Sequence, residues 1–137
     1  MPRYSLVGYD DSDVARRAFA FAMELARGCG GRVRVVSVLQ VAEGGDTGAL
    51  MMTDNSTQRV QELKNELLAL DPDTARLVDV ELTLGSPGDV LLGQIDQHGI
   101  DHIVIGHTAR GTLARWLVGS VSDNVLARAH VPVTVVR

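Results

Sequence analysis

"YSLVGYDDSDVARRAFA", residues 4–20, passes from a short apolar run through three acids and a serine into residues with helical spacing. Tyr4 to Tyr9 reads as a strand, and Asp10, Asp11, Ser12 and Asp13 offer caps for a helix that begins at once. Ala15, Ala18, Phe19, Ala22, Leu25 and Ala26 then recur at three- and four-residue steps, with Arg16, Arg17, Glu24 and Arg27 mainly elsewhere, until Gly28 and Gly30-Gly31 end the run. The pattern is a strand feeding an amphipathic helix, the opening of a strand–helix–strand unit.

The same alternation continues outward. Val33 to Leu39 is rich in β-branched residues and predicts a second strand. Positions 42–55 hold Gly, Asp, Thr and Asn without periodicity and are expected to form a mobile loop. Val60, Leu63, Leu67 and Leu70 mark a second helix, stopped by Asp71-Pro72-Asp73 because proline cannot continue the helical ladder. Leu77 to Leu84 reads as a third strand. Ser86-Pro87-Gly88-Asp89 then supplies an N-cap, a proline at the first helical position and a weak variant of the capping box for a third helix through Ile95. Asp101 to Ile105 gives a fourth strand, and "GHTARGTLARWLVGS", residues 106–120, is expected to be a long loop at its carboxyl end. A helix from about Ser120 to Ala129 and a fifth strand, Val131 to Val136, complete the order βαβαβαβαβ. Such alternation, with near-continuous apolar strands, predicts a parallel sheet covered by helices on both faces through right-handed crossovers.

Composition sets limits on function. A chain of 137 residues with 45% hydrophobic content fits one compact domain over residues 1–137. With 13 basic against 17 acidic side chains the formal charge is −4, so nothing draws the molecule as a whole to nucleic acid or to an anionic membrane. Cys29 is the only cysteine, which excludes an intramolecular disulfide, and no Cys/His cluster has zinc spacing. No apolar stretch approaches about 18 residues, and the N-terminus lacks the pattern of a signal peptide, so the expectation is a soluble cytoplasmic protein. Lys64 is the single lysine and lies in the second helix, so no Walker lysine is present, and Ser120 has no His and acid partners at a recognisable spacing. No catalytic and no metal site is assigned, and His98, His102 and His130 read as structural or surface residues.

Ligands of open α/β sheets bind beyond the carboxyl ends of strands, where the strand order reverses. The turn Gly8-Tyr9-Asp10 and the loop from Gly106 to Ser120 would face each other there if strands one and four are neighbours. Gly106 and Gly119-Ser120 would expose backbone N–H groups to a phosphate, or else end a strand and cap a helix. Asp10 is either a ligand-facing acid or a helix cap competing with Ser12.

At this point the chain resembles the universal stress protein family over nearly its whole length. "VGYDDSDVARRA" (7–18), "LGSPGDVL" (84–91), "DHIVIG" (101–106) and "GSVSDNVLARAHVPVTVV" (119–136) carry the resemblance. It implies a Rossmann-like sheet, similar to adenine nucleotide alpha hydrolases: an open five-stranded parallel sheet of order 3-2-1-4-5. It also implies ATP, or AMP or another adenine nucleotide, with a divalent cation such as Mg held only through the phosphates, and a homodimer pairing the C-terminal strands. By position, Asp10 would meet the ribose or adenine, Gly8 would lie near the base, and the backbone of Val38 would meet the adenine edge. Gly106, Gly119, Ser120 and Val121 would hold the phosphates, His107 and Thr108 would add hydrogen bonds, and Arg110 and Arg115 would supply charge. The family signature of Gly, two residues, Gly, nine residues, Gly and Ser/Thr begins at Gly106 and ends at Gly119-Ser120, but Ala109 takes the middle glycine's place. Alanine costs on the order of 1 kcal/mol if that position needs positive φ. Two functions stay open: an ATP-binding regulatory dimer of the stress response with an unidentified protein partner and at most slow hydrolysis, or an interaction module that works without nucleotide.

Overall fold

The computed structural model describes residues 2–39, 46–108, 111–112, 125 and 127–137. Strand β1 (Tyr4–Gly8) leads into helix α1 (Asp13–Cys29), strand β2 (Arg32–Leu39), helix α2 (Asp46–Leu70), the short helix α3 (Thr74–Leu77), strand β3 (Val78–Leu84), helix α4 (Pro87–His98), strand β4 (His102–Thr108), a two-residue strand β5 (Gly111–Thr112) and strand β6 (Val133–Val136). The parallel sheet runs β3-β2-β1-β4-β6, which is the expected 3-2-1-4-5 order of its five parallel strands, while β5 only folds back antiparallel on the end of β4.

The helices cover both faces. Val7 pairs with Val35 and Val104, placing Ser5, Val33, Ser37, His102 and Gly106 on one face by strand alternation. Gly106 lies against Val14 of α1, so α1 covers this face. On the other face, Arg34 donates to Gln94 of α4 at 2.6 Å. The core joins the inward stripe of α1 (Val14, Ala15, Ala18, Phe19, Ala22, Met23, Ala26) to Leu6, Val7, Val33, Val35, Ile103 and Val104 of the central strands. Fully burying a large aliphatic side chain contributes about 1.5–3 kcal/mol.

Local chemistry sets the helix ends. The Ser12 hydroxyl accepts from Ala15 N at 3.2 Å as the N-cap of α1, and Gly30 closes the helix in the left-handed region at φ 69°.

Several boundaries differ from the sequence reading. The expected loop at 42–55 is helical from Asp46 onward; positions 42–45 lie outside the described residues. The polar residues before Val60 hide the helix by breaking the apolar period, yet no proline lies between Asp46 and Pro72, so the ladder extends toward the N-terminus. Leu67 is buried, whereas Leu70, read as part of the same stripe, is 46% exposed. Leu77 belongs to α3, and β3 starts at Val78. The capping box at Ser86 does not form: the serine side chain makes no cap bond, and Asp89 instead accepts from Arg128 at 3.0 Å. Helix α4 runs past Ile95 to His98 and closes on Gly99 at φ 63°. The fourth strand continues through Thr108, so the expected loop from 106 loses its first three residues to the sheet. Of the expected helix at 120–129, Val125, Ala127 and Arg128 are helical, and the other positions before Ala129 lie outside the described residues. The fifth parallel strand begins at Val133 rather than Val131.

Candidate functional site

The crevice predicted from the sequence exists in the topology. The chain leaves β1 toward β2 and leaves β4 toward β6, so the two connections diverge from adjacent carboxyl ends. Gly8, Tyr9 and Asp10 are buried at the β1 side of this divergence, and Tyr9 N is fixed to Val36 O at 3.0 Å.

Asp10 is 7% exposed. Its Oδ1 accepts from Ser12 N at 3.1 Å and from Ser12 Oγ at 2.5 Å. The choice between Asp10 and Ser12 as the cap of α1 is thereby resolved: Ser12 caps the helix, and Asp10 holds the hydroxyl in position. Asp11 turns the chain with φ 68°, the one positive φ at a non-glycine among the described residues. A left-handed acid between Asp10 and Ser12 brings the two side chains face to face.

On the β4 side, Gly106 sits inside the strand, paired with Val136. A Cβ on it would stand 2.8 Å from Val14 O and 3.0 Å from Val14 C and Cγ1. Close packing of α1 therefore accounts for this glycine, independent of any phosphate. His107 and Thr108 pair with Thr112 and Gly111 in a small hairpin. Val38 is 4% exposed in the last part of β2, paired with Thr83. Thus Gly8, Asp10, Val38, Gly106 and His107 all lie at the carboxyl end of the sheet, while Ala109, Arg110, Arg115, Gly119, Ser120 and Val121 lie outside the described residues.

Next to this end, under α2, opens a cleft of about 530 Å³ lined by Asp11, Ser37, Arg59, Glu62, Leu63, Glu66 and Leu82. Three acids against one arginine make it a poor phosphate site. Tyr9, 1% exposed and edge-on to Phe19 with centroids 6.5 Å apart, has a buried hydroxyl that meets no hydrogen-bond partner among the described residues. Burial, and then the nearby Glu66 carboxylate, push its phenol far up. Burial and the adjacent Asp11 also push Glu66 above the usual carboxylate range, against the pull of Arg16, whose guanidinium lies 3.7 Å away. No local pattern signals this cluster, because only the docking of α2 brings Glu66 to the β1 turn.

No group of three or more His, Cys, Asp or Glu able to hold a metal ion occurs among the described residues. No helix there is long and apolar enough to cross a membrane.

Comparison with known proteins follows the same outline. Residues 3–137 match the model of the Universal stress protein family. A universal stress protein from Thermus aquaticus is 30% identical over 134 residues, covering 96% of each chain. Among solved structures, a universal stress protein in complex with cAMP superposes with TM-score 0.70 at 24% identity, over 99% of this chain and 97% of that one. A universal stress protein from Archaeoglobus fulgidus in complex with dAMP gives TM-score 0.70 at 24% identity, over 100% and 98% of the two chains.

Proposed function

This chain belongs to the universal stress protein family, and from that premise we propose that it binds an adenine nucleotide, ATP foremost, between the carboxyl ends of β1 and β4. It acts as a cytoplasmic, regulatory homodimer rather than as an efficient enzyme. The observation that carries this reading is Asp10, a carboxylate 7% exposed at the tip of β1, where the strand order reverses. A buried acid in that place suits a ribose hydroxyl, which donates to it, and repels a phosphate. The bound cAMP and dAMP of the two related structures support the ligand class.

In this reading Gly8 leaves room for the base, Val38 meets the adenine edge with its backbone, and Gly106 forms the floor beneath the phosphates. His107, Arg110, Gly119, Ser120 and Val121 complete the phosphate side, where glycine permits close approach and a helix start adds partial positive charge. Mg accompanies the nucleotide through its phosphates alone. The chain lacks a Walker lysine, so the bound nucleotide signals a state to a protein partner instead of being turned over rapidly.

Ala109, standing where the family signature has glycine, favours a second reading, a module of the same fold that works without nucleotide. Mass spectrometry of the denatured protein, together with thermal shift in excess nucleotide, separates the two. A co-purified adenine nucleotide and a raised Tm support binding; neither signal in ATP, AMP or cAMP moves the assignment to the module.

A further inference from the structure

Three polar side chains cross three strands on the face covered by α1. Ser5 Oγ lies 2.9 Å from His102 Nδ1, and His102 Nε2 lies 2.7 Å from Thr134 Oγ1. Ser5 and His102 are 3% and 4% exposed, and they are register partners in β1 and β4. Thr134 belongs to β6, the four-residue strand at the edge of the parallel sheet. One imidazole thus fastens an edge strand to the two central strands.

The surroundings suit a neutral ring. The residues that α1 buries are all apolar. Among the described residues the one charged group acting on the imidazole is Asp101, and its carboxylate already accepts from Arg3 N at 3.1 and 2.9 Å and from Tyr4 N at 3.0 Å. A neutral imidazole donates through one nitrogen and accepts through the other, and a hydroxyl at each end complements either tautomer. An imidazolium would donate from both nitrogens and place a charge in the core without a bonded carboxylate.

We propose that His102 is an acid-sensitive latch: neutral, it ties β6 to the sheet through Thr134, and protonated, it releases that strand. Release takes place at β6 because opening four residues of an edge strand costs far less than opening β1 or β4, and it brings water to the ring. Burial holds the imidazole below its ordinary value of 6.5, with Asp101 opposing more weakly. For a base depressed in the folded state, the contribution to stability is complete above 6.5 and is lost as the pH falls from there through the folded value. Because β6 is also the strand assigned to the dimer seam, acid parts the dimer as well; that consequence rests on the proposed dimer, whereas the latch does not.

Hydrogen exchange on the full chain tests the latch. On going from about pH 7.5 to about pH 5, protection of the Val133–Val136 amides, corrected for intrinsic exchange, falls by about tenfold or more, while Val33–Val36 of β2 keep theirs. His102→Gln, which donates and accepts but does not titrate, abolishes that difference. Loss of protection in both strands to the same extent, or an unchanged pH response in the variant, overturns the proposal. Should His102→Gln fail to fold, the wild-type His102 ring and the β6 amides followed by NMR must share one titration midpoint below 6.5; separate midpoints overturn the latch. A chain that is monomeric at every pH but shows the β6 response refutes the dimer and leaves the latch standing.

Discussion

Gly106 of β4 lies flush against Val14 in the first turn of α1: a methyl group added to the glycine would come within 2.8 Å of the Val14 carbonyl oxygen. The contact locks the two sides of the crevice together, since α1 begins three residues after Asp10 and β4 carries Gly106 and His107, two of the residues assigned to the phosphates. The obstacle is backbone, which moves only if the whole helix start moves.

Gly106→Ala is therefore expected to destabilise the fold by about 1–3 kcal/mol and to weaken nucleotide binding through the displaced β1 turn. Gly93→Ala serves as the contrast. A methyl there meets nothing within 4 Å inside α4, so relief of glycine's entropy stabilises by about 0.4–1 kcal/mol. Thermal unfolding followed by circular dichroism should separate the two variants in opposite directions, and an unchanged Tm for Gly106→Ala would refute the packing argument.

Asp10 and Ser12 divide their tasks in a way that two substitutions resolve. Asp10→Asn keeps an oxygen to accept from Ser12 N and should leave the Tm nearly unchanged while lowering nucleotide affinity. Ser12→Ala removes the cap to Ala15 N and should cost about 1–2 kcal/mol. Calorimetric titration with ATP beside thermal melts reads both. Full affinity in Asp10→Asn would remove the acid from the site.

The strands, the α1 stripe and the position of Asp10 were legible because each follows from a short-range pattern that the fold does not override. Gly106 was legible as a glycine needing close approach but not as a strand residue: it reads as the start of a loop, and only the packing of Val14 against β4 places it inside the strand. The first half of α2 was hidden because Gly48, Thr53 and Asn55 are weak helix formers that leave no apolar period. The Tyr9, Asp11 and Glu66 cluster and the Ser5–His102–Thr134 chain depend on tertiary register, which single-residue patterns do not encode.

Acid titration should expose the polar network on the α4 face. Burial opposes ionisation of Asp79, yet the Tyr4 hydroxyl at 2.8 Å and the Arg32 guanidinium at 2.9 Å hold it below its ordinary value of 3.8. A carboxylate depressed in the folded state contributes stability that is complete above 3.8 and disappears as the pH falls through the folded value. Urea midpoints measured from about pH 5 to about pH 2 should fall less steeply in Asp79→Asn than in the wild type. Identical slopes would mean that solvent screens the pair completely.

Ala109→Gly restores the spacing of the family signature. If alanine strains the backbone or crowds a phosphate oxygen, the change strengthens ATP binding by up to about tenfold, corresponding to about 1 kcal/mol. Equal affinities in equilibrium titrations would show that the alanine is tolerated as it stands, and the second reading would lose its motive.

The edge at β6 sets the last expectation. Among the described residues, Val133, Thr134, Val135 and Val136 pair with β4 on one side only, and Val135 is 37% exposed. An apolar strand with an open hydrogen-bonding edge invites pairing with another chain unless something covers it. Pro132 does not obstruct this, because it precedes the strand and its carbonyl already accepts from Ile103 N at 3.0 Å. A twofold axis beside β6 would run two copies antiparallel and bury Val135 of each at the seam. The wild type should then be a dimer at micromolar concentration by light scattering. Val135→Lys would bury an unpaired ammonium there and weaken the dimer by about tenfold or more, with little effect on the monomer's own melting, since the side chain is partly in water before association. A wild type that stays monomeric and soluble at that concentration would show that its edge needs no partner, and Val135→Lys would then be silent.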